Sequence, residues 1–124
     1  FIVLEDSSGY HVGYRSVFDR KKKLELGYYS RNMDLLAPID DHIEVHLLKK
    51  FSQGFYTIEK WNDTLVFNDL RFGQIIGWEQ PGEHFVFHYF LSHPNDNTLV
   101  VQRGRFAKWN KATTVNLIRR IKGN

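Results

Sequence analysis

The stretch Asn68-Asp69-Leu70-Arg71-Phe72-Gly73-Gln74-Ile75-Ile76-Gly77-Trp78 decides what fold this sequence can adopt. It reads as a buried β-strand, yet it carries an acid and a base two residues apart. Residues i and i+2 of a strand lie on the same face of a sheet, so Asp69 and Arg71 are predicted to lie side by side. A charge among apolar neighbours must be paired or functional. The stretch therefore predicts a buried ion pair, and Gly73 and Gly77 predict a bulge or bend.

Further strands are predicted on both sides of this stretch. An extended run ends at Trp61, and Asn62-Asp63 is a two-residue turn signal that sends the chain back into the central strand at Thr64. The predicted strands are residues 1–4, 10–18, 24–29, 55–61, 64 toward 78, 84–92 and 98–106. Their short connections favour an antiparallel meander.

Two helices are predicted, at about residues 40–52 and 111–121. Asp40 or Asp41 can cap the first helix, and its apolar residues recur at helical spacing as one stripe, formed by Ile43, Leu47, Leu48 and Phe51. The second helix is predicted to bury Val115, Leu117, Ile118 and Ile121. The sequence therefore predicts an α+β fold, a curved antiparallel meander sheet with one inserted helix and a C-terminal helix.

Composition narrows the class of protein. The chain has 124 residues and 15% aromatic residues, which suits one sheet-rich domain spanning residues 1–124. It has no cysteine, which excludes disulfides and thiolate metal sites. The net charge is only +3, and the basic residues are scattered through a chain that also has 14 acidic residues. Nucleic acid is therefore not expected as a partner. No run of 18 apolar residues occurs, so we expect a soluble domain.

The N-terminus indicates that more protein precedes this sequence. The chain begins with Phe1 rather than methionine, and Phe1-Ile2-Val3-Leu4 reads as the middle of a strand. We therefore interpret the sequence as an excised domain or a processed chain.

Asp69 and Arg71 are the candidate functional residues. They could act as a general acid or base and an anion clamp, or they could be a structural pair, with Asn68 or Gln74 in the same network. The structural interpretation is favoured, and no catalytic residue is assigned.

The histidines do not predict a metal site. His42 and His46 lie four apart on the first helix, but the glutamate of the metalloprotease motif does not follow His42. His84 and His88 would lie on one strand face roughly 13 Å apart, too far for one metal ion without a bulge. His93 lies just beyond them in the sequence.

Three parts of the chain resemble a known family. They are the hairpin from Gly54-Phe55-Tyr56 to Asn68-Asp69-Leu70-Arg71-Phe72-Gly73, the strand Phe85-Val86-Phe87, and the closing Leu117-Ile118-Arg119-Arg120-Ile121-Lys122-Gly123-Asn124. Together they resemble the C-terminal region of a bacterial family of membrane-bound, metal-dependent hydrolases. Proteins of this family are also described as inner-membrane proteins that bind the LexA repressor.

The resemblance implies an accessory role for this chain. In such proteins the metal-binding His and Asp residues lie in an N-terminal membrane-spanning part, which this sequence does not contain. A divalent metal is thus implied for the parent protein, in the bacterial inner membrane, and none for this chain. The membrane would be reached through that N-terminal region, and a protein partner is a further expectation.

Three hypotheses follow for function. The first is an accessory or ligand-binding domain of a membrane-bound hydrolase, not catalytic alone. The alternative is a self-contained small enzyme or small-molecule binder that uses Asp69, Arg71 and a nearby histidine in a pocket of a cone-like sheet. The third is a module that contacts nucleic acid or a repressor.

Overall fold

Two three-stranded antiparallel sheets form the framework of the described part of the chain. The computed structural model describes residues 1–20, 22–91 and 109–123. The elements are β1 (Ile2–Glu5), β2 (Gly9–Gly13), β3 (Gly27–Ser30), a 3₁₀ helix (Met33–Ile39), α1 (Ile43–Phe51), β4 (Tyr56–Trp61), β5 (Thr64–Gln74), β6 (Phe85–Phe90) and α2 (Lys111–Ile121). Within each sheet the strand order follows the chain order. The predicted α+β class, with antiparallel strands, an inserted helix and a C-terminal helix, is confirmed.

The described strands divide into two sheets at Asn32. This residue has a φ of 53°, in the left-handed region, and the chain turns there from β3 into the 3₁₀ helix. A left-handed residue ends the extended conformation, so β3 does not continue along β4. The sheets still adjoin, because the Ile58 amide donates to the Arg31 carbonyl at 3.1 Å and Asn32 Nδ2 donates to the Ile58 carbonyl at 2.8 Å.

The central hairpin forms as the sequence predicts. Trp61 pairs with Thr64 across the Asn62-Asp63 turn, and Asn62 has the positive φ of 51° that tight hairpin turns require. Strand β5 pairs with β4 on one side and β6 on the other. The register between β5 and β6 shifts between Asp69 and Gln74, which confirms the predicted bulge.

Helix α1 is confirmed, but its predicted cap is wrong. The helix begins after His42, which is the N-cap residue and whose side chain makes no capping hydrogen bond. Asp40 does not reach the helix start, because its carboxylate pairs with the ammonium group of Lys49. Asp41 also lies before the N-cap position.

The predicted stripe of α1 separates into an inner and an outer part. Leu48 packs with the buried Val45 against the sheet, whereas Ile43, Leu47 and Phe51 are at least half exposed. Helical periodicity correctly places Ile43, Leu47 and Phe51 on one face of the helix, but that face is the exposed one. The buried core beneath α1 consists of Leu36, Val45, Tyr56, Ile58 and Phe67, and a second core joins the sheets through Tyr10, Val12, Leu70 and Phe85.

The predicted burial of α2 is wrong for three of its four apolar residues. Val115, Ile118 and Ile121 are about half exposed, and Leu117 is partly buried. Polar contacts, rather than the predicted apolar ones, attach this helix to the rest of the protein. Ser16 Oγ donates to the Ile121 carbonyl at 2.5 Å, and Asn116 Nδ2 donates to Glu79 Oε1 at 2.7 Å.

Two sequence predictions fall on residues that are not described. The strand at residues 98–106 and His93 both lie outside the described residues. Among the residues that are described, no helix is long and apolar enough to cross a membrane.

Candidate functional site

Asp69 and Arg71 form the ion pair that their spacing predicts. Arg71 Nη2 donates to Asp69 Oδ2 at 2.7 Å, and Arg71 Nε donates to Asp69 Oδ1 at 3.0 Å. The Arg71 backbone amide also donates to Oδ1 at 3.0 Å. The Asp69 side chain is fully buried, whereas the Arg71 side chain is 27% exposed. The hydrogen bond to Asp69 raises the pKa of the Arg71 guanidinium, which therefore stays charged.

Aromatic rings enclose the guanidinium of Arg71. Its Cζ atom lies 5.0 Å from the centre of the Phe51 ring and 5.4 Å from that of Phe72. The Phe87 ring packs against both phenylalanines, with centroids 5.5 and 5.7 Å away. The exposed end of α1 is thereby joined to the end of β5 through a cation–π stack.

The predicted extension of this network to Asn68 or Gln74 is wrong. Asn68 pairs with Thr57 on the neighbouring strand, where its Nδ2 lies 3.5 Å from Thr57 Oγ1. As the neighbour of Asp69 in a strand, Asn68 faces the opposite side of the sheet. Gln74 hydrogen-bonds elsewhere. Among the described residues, Arg71 alone therefore donates hydrogen bonds to the carboxylate oxygens of Asp69. This arrangement is typical of a structural ion pair.

The connection after β5 contains a strained turn. Gly73, at the end of the strand, has a φ of 71° that glycine adopts readily, whereas Ile76 in the connection has a φ of 45°, a conformation that β-branched residues rarely adopt. The amides of Glu79 and Gln80 both donate to the Ile76 carbonyl, at 2.9 and 3.0 Å, and fix the turn. Such strain costs on the order of 1–3 kcal/mol and is concentrated at functional sites. The strained residue lies between Gln74 and Trp78.

Gln74 ties the end of β5 to two tyrosines, Tyr29 of β3 and Tyr14, which directly follows β2. Its Nε2 donates to the Tyr29 hydroxyl at 2.7 Å and to the Glu83 carbonyl at 2.7 Å. Its backbone amide donates to the Tyr14 hydroxyl at 2.8 Å, and that hydroxyl donates to Gln74 Oε1 at 3.3 Å. The two phenol rings are thus held by a buried amide.

Gly77 makes room for Tyr14. A Cβ atom at Gly77 would lie 2.3 Å from the Tyr14 hydroxyl oxygen and 2.5 Å from its Cζ, so only glycine allows this approach. A Cβ atom at Gly73 would lie 3.4 Å from the same oxygen. Burial raises the pKa of the Tyr14 phenol, which therefore stays neutral at physiological pH.

These residues border a cleft of about 410 Å³ between the two sheets and α2. Its volume falls in the range of small-molecule sites, roughly 300–1,000 Å³. The cleft is lined by Val12, Gly13, Tyr14, Glu25, Leu26, Gly27, Tyr29, Gln74, Gly77, Trp78, Pro81 and Arg120. An adjoining cavity of about 420 Å³ shares Tyr14, Gln74 and Trp78 with it. Asp69 and Arg71 line neither space.

The positive charge in the described lining of the cleft is compensated by an ion pair. Arg120 Nη1 donates to Asp19 Oδ1 at 2.5 Å, and Arg120 Nη2 donates to the Tyr14 carbonyl at 2.8 Å. Glu25 supplies an exposed carboxylate. The lining residues that the structure describes include no serine, threonine, cysteine or histidine. These residues can stack on a ring and form hydrogen bonds.

The histidines of the described residues do not form a metal centre. His84 and His88 both pack on Trp61, with ring centroids 4.2 and 5.2 Å from its ring. Within residues 1–20, 22–91 and 109–123, no three His, Asp or Glu side chains are grouped so that they could hold a metal ion.

Because His88 is buried, we expect the folded protein to lose stability in mild acid. Burial lowers the pKa of His88, while its Nδ1 hydrogen-bonds to the Phe85 carbonyl at 2.9 Å. The unfolded state then binds the proton more readily, so the stability contributed by neutral His88 is present above its unfolded pKa of about 6.5 and is lost as the pH falls. Urea unfolding at pH 7 and pH 5 should show a smaller loss of stability for His88→Asn than for the wild type. Equal losses would contradict this role of His88.

Sequence reasoning missed most of the cleft. Tyr14, Tyr29 and Arg120 come from three separate parts of the chain, and no local pattern marks them. The one available signal was the pair Gly73 and Gly77, since glycine within a strand indicates close approach by another group. That signal gives the position of the approach but not the residue that makes it.

Comparisons with models of protein families, with curated proteins and with solved structures find no match to this chain.

Proposed function

We propose that this chain is a ligand-binding domain and that the ligand occupies the cleft beside Gln74. The observation that carries this proposal is a cleft of ligand size built around a buried polar network. The strained Ile76 supports it, because such strain is concentrated at functional sites and Ile76 lies in the turn between Gln74 and Trp78, two residues of the cleft lining. Gly77 supports it as well, since it allows the Tyr14 ring to form part of the wall.

The lining favours a neutral ligand that contains a ring and several hydroxyl groups, such as a sugar or a nucleoside. Three aromatic residues, Tyr14, Tyr29 and Trp78, offer surfaces on which a ring can stack. The positive charge of Arg120 is already paired with Asp19, so an anion gains little there. The carboxylate of Glu25 can accept hydrogen bonds from hydroxyl groups.

The resemblance supports a place for this domain within a larger protein. On that basis the domain is an accessory part of a membrane-bound, metal-dependent hydrolase of the bacterial inner membrane. The metal and the catalytic step would belong to an N-terminal membrane-spanning part, which also anchors the protein. This chain would bind a ligand or a protein partner and would not be catalytic alone.

No observation on the described residues favours a self-contained enzyme built on Asp69 and Arg71. The Asp69 carboxylate is fully buried and bonded to Arg71, and neither residue lines the cleft. A general base must reach the proton that it removes. We therefore assign the pair to the stability of β5.

Ligand binding can be tested with a variant that fills the cleft. Thermal unfolding and tryptophan fluorescence should be measured with glucose and adenosine, and with citrate and spermidine as charged comparators. We expect at least one neutral compound to raise the melting temperature of the wild type. Gly27→Val should abolish this response, because the added side chain enters the cleft while a β-branched residue suits strand β3.

Ser30→Val is the matched control, because it adds the same side chain to the same strand outside the cleft lining. It should bind like the wild type. A response that survives in Gly27→Val would contradict the site. A response to citrate or spermidine alone would contradict the neutral ligand class.

A further inference from the structure

A loop between β2 and β3 presents two apolar side chains to solvent. Val17 is 93% exposed and Phe18 is 62% exposed, so both project from the surface. On the neighbouring end of α2, Ile118 and Ile121 are about half exposed. We call these four residues the apolar tip. Exposed aliphatic and aromatic residues that lie together in this way mark an interaction site.

The loop is held firmly in this position. Ser16 Oγ donates to the Ile121 carbonyl at 2.5 Å, and the Ser16 amide donates to Asp19 Oδ2 at 3.0 Å. Asp19 also pairs with Arg120 of α2. At Gly123 a Cβ atom would lie 2.1 Å from the Phe18 carbonyl oxygen, so the backbone after α2 packs directly on the loop. Val17 and Phe18 are therefore presented in a fixed geometry.

Exposed basic residues surround the apolar tip. They flank the loop in sequence and line the end of α2, and they are Arg15, Arg20, Lys22, Lys23, Arg119 and Lys122. The sequence adds Lys21 to the run. Of the nearby acids, Asp19 is paired with Arg120, Glu79 borders Arg119 and accepts from Asn116, and Glu25 follows at the end of the run. The basic residues outnumber these acids, so the surface around the tip is net positive.

An apolar groove opens beside the tip. It has a volume of about 210 Å³ and is lined mainly by apolar residues, among them Phe1, Val17, Phe18, Leu117 and Ile121. A groove of this size can take a short piece of hydrocarbon chain. Apolar side chains, an apolar groove and a basic rim thus occur on one surface.

We propose that this surface binds an anionic lipid membrane, with Val17 and Phe18 inserted at the interface and the basic rim on the headgroups. Protruding apolar residues flanked by Lys and Arg are the pattern of interfacial membrane binding. The basic rim is complementary to anionic headgroups, and the adjoining apolar groove is complementary to a hydrocarbon chain. Both halves of this surface therefore fit a lipid. This inference holds whether or not the cleft binds a ligand.

Vesicle co-sedimentation tests the proposal. The purified protein should bind vesicles of phosphatidylcholine mixed with phosphatidylglycerol, and should bind pure phosphatidylcholine vesicles much less. Added salt should weaken the binding, because screening acts on exposed charges. Equal binding to both kinds of vesicle would overturn the charge argument. A wild-type protein that ignores the anionic vesicles but binds a polyglutamate peptide would overturn the membrane proposal in favour of a protein partner.

Substitutions can measure separately how much the apolar tip and the positive charge contribute to vesicle binding. Val17→Ser/Phe18→Ser should weaken binding at least about tenfold, through the lost burial of both side chains. Its control is Ile43→Ser/Leu47→Ser, which removes exposed apolar residues from α1 and should bind like the wild type.

Lys22→Gln/Lys23→Gln should weaken binding about fivefold for each lysine. The charge-matched control Lys50→Gln/Lys60→Gln, at exposed positions on α1 and β4, should change it less than about twofold. If the tip variant binds like the wild type, or the two charge variants lose affinity equally, the proposed surface is wrong. All substituted residues are exposed, so circular dichroism should show unchanged folding.

Discussion

Replacing Arg71 with alanine should lower the free energy of unfolding by about 3–5 kcal/mol, as expected when one partner of a buried ion pair is removed. Arg71 supplies three hydrogen bonds of 3.0 Å or less to the Asp69 carboxylate, and two of them come from its side chain. Without those two, a fully buried carboxylate would keep only the backbone amide. The loss should appear as a lower urea midpoint with an unchanged m-value.

A second substitution distinguishes an unpaired charge from lost packing. Asp69→Asn/Arg71→Ala removes both charges, so it should be no less stable than Arg71→Ala alone. Arg119→Ala, at an exposed position on α2, is the control and should change stability by less than about 0.5 kcal/mol. If Arg71→Ala costs no more than the Arg119 control, the pair does not stabilise the fold.

Gly77→Ala should have the second largest effect, and it should act on the cleft. Its Cβ atom would overlap the Tyr14 ring, with contacts of 2.3, 2.5 and 2.6 Å to the hydroxyl oxygen, Cζ and Cε2. The ring must move, and the hydrogen bond from the Gln74 amide to the Tyr14 hydroxyl is then lost. Overpacking of this kind costs about 1–3 kcal/mol. We expect lower stability together with loss of the response to glucose or adenosine.

Gly27→Ala is the matched control for Gly77→Ala. A Cβ atom at Gly27 would meet the Tyr29 ring at 3.3 Å, a contact that a small movement of the ring relieves. This variant should keep nearly the stability of the wild type. Wild-type stability and ligand response in Gly77→Ala would mean that Tyr14 does not pack over residue 77.

Local patterns in the sequence were sufficient for the elements near the central strand. The i, i+2 spacing of Asp69 and Arg71 predicted their contact, and the Asn62-Asp63 turn fixed the hairpin register. The bounds of α2 were also predicted, because helical spacing is a local feature. The structure adds its N-cap, Asn110, whose side chain accepts the Thr113 amide at 2.9 Å.

Features that depend on tertiary structure could not be predicted in the same way. Periodicity groups Ile43, Leu47 and Phe51 on one face of α1, but it does not say which face the sheet covers. The division of the strands depends on a left-handed conformation at Asn32, an ordinary polar residue in the sequence. The cleft requires residues from β3, the ends of β2 and β5, and α2, and only the folded chain brings them together.

The most direct test of the account is a two-dimensional ¹H–¹⁵N spectrum of the protein recorded with increasing glucose or adenosine. If the ligand binds in the cleft and the ion pair only stabilises the fold, the Gln74 side-chain amide and the Gly77 backbone amide should shift, while the Nε–H signal of Arg71 stays in place. Shifts at Arg71 that leave Gln74 and Gly77 unchanged would contradict the account.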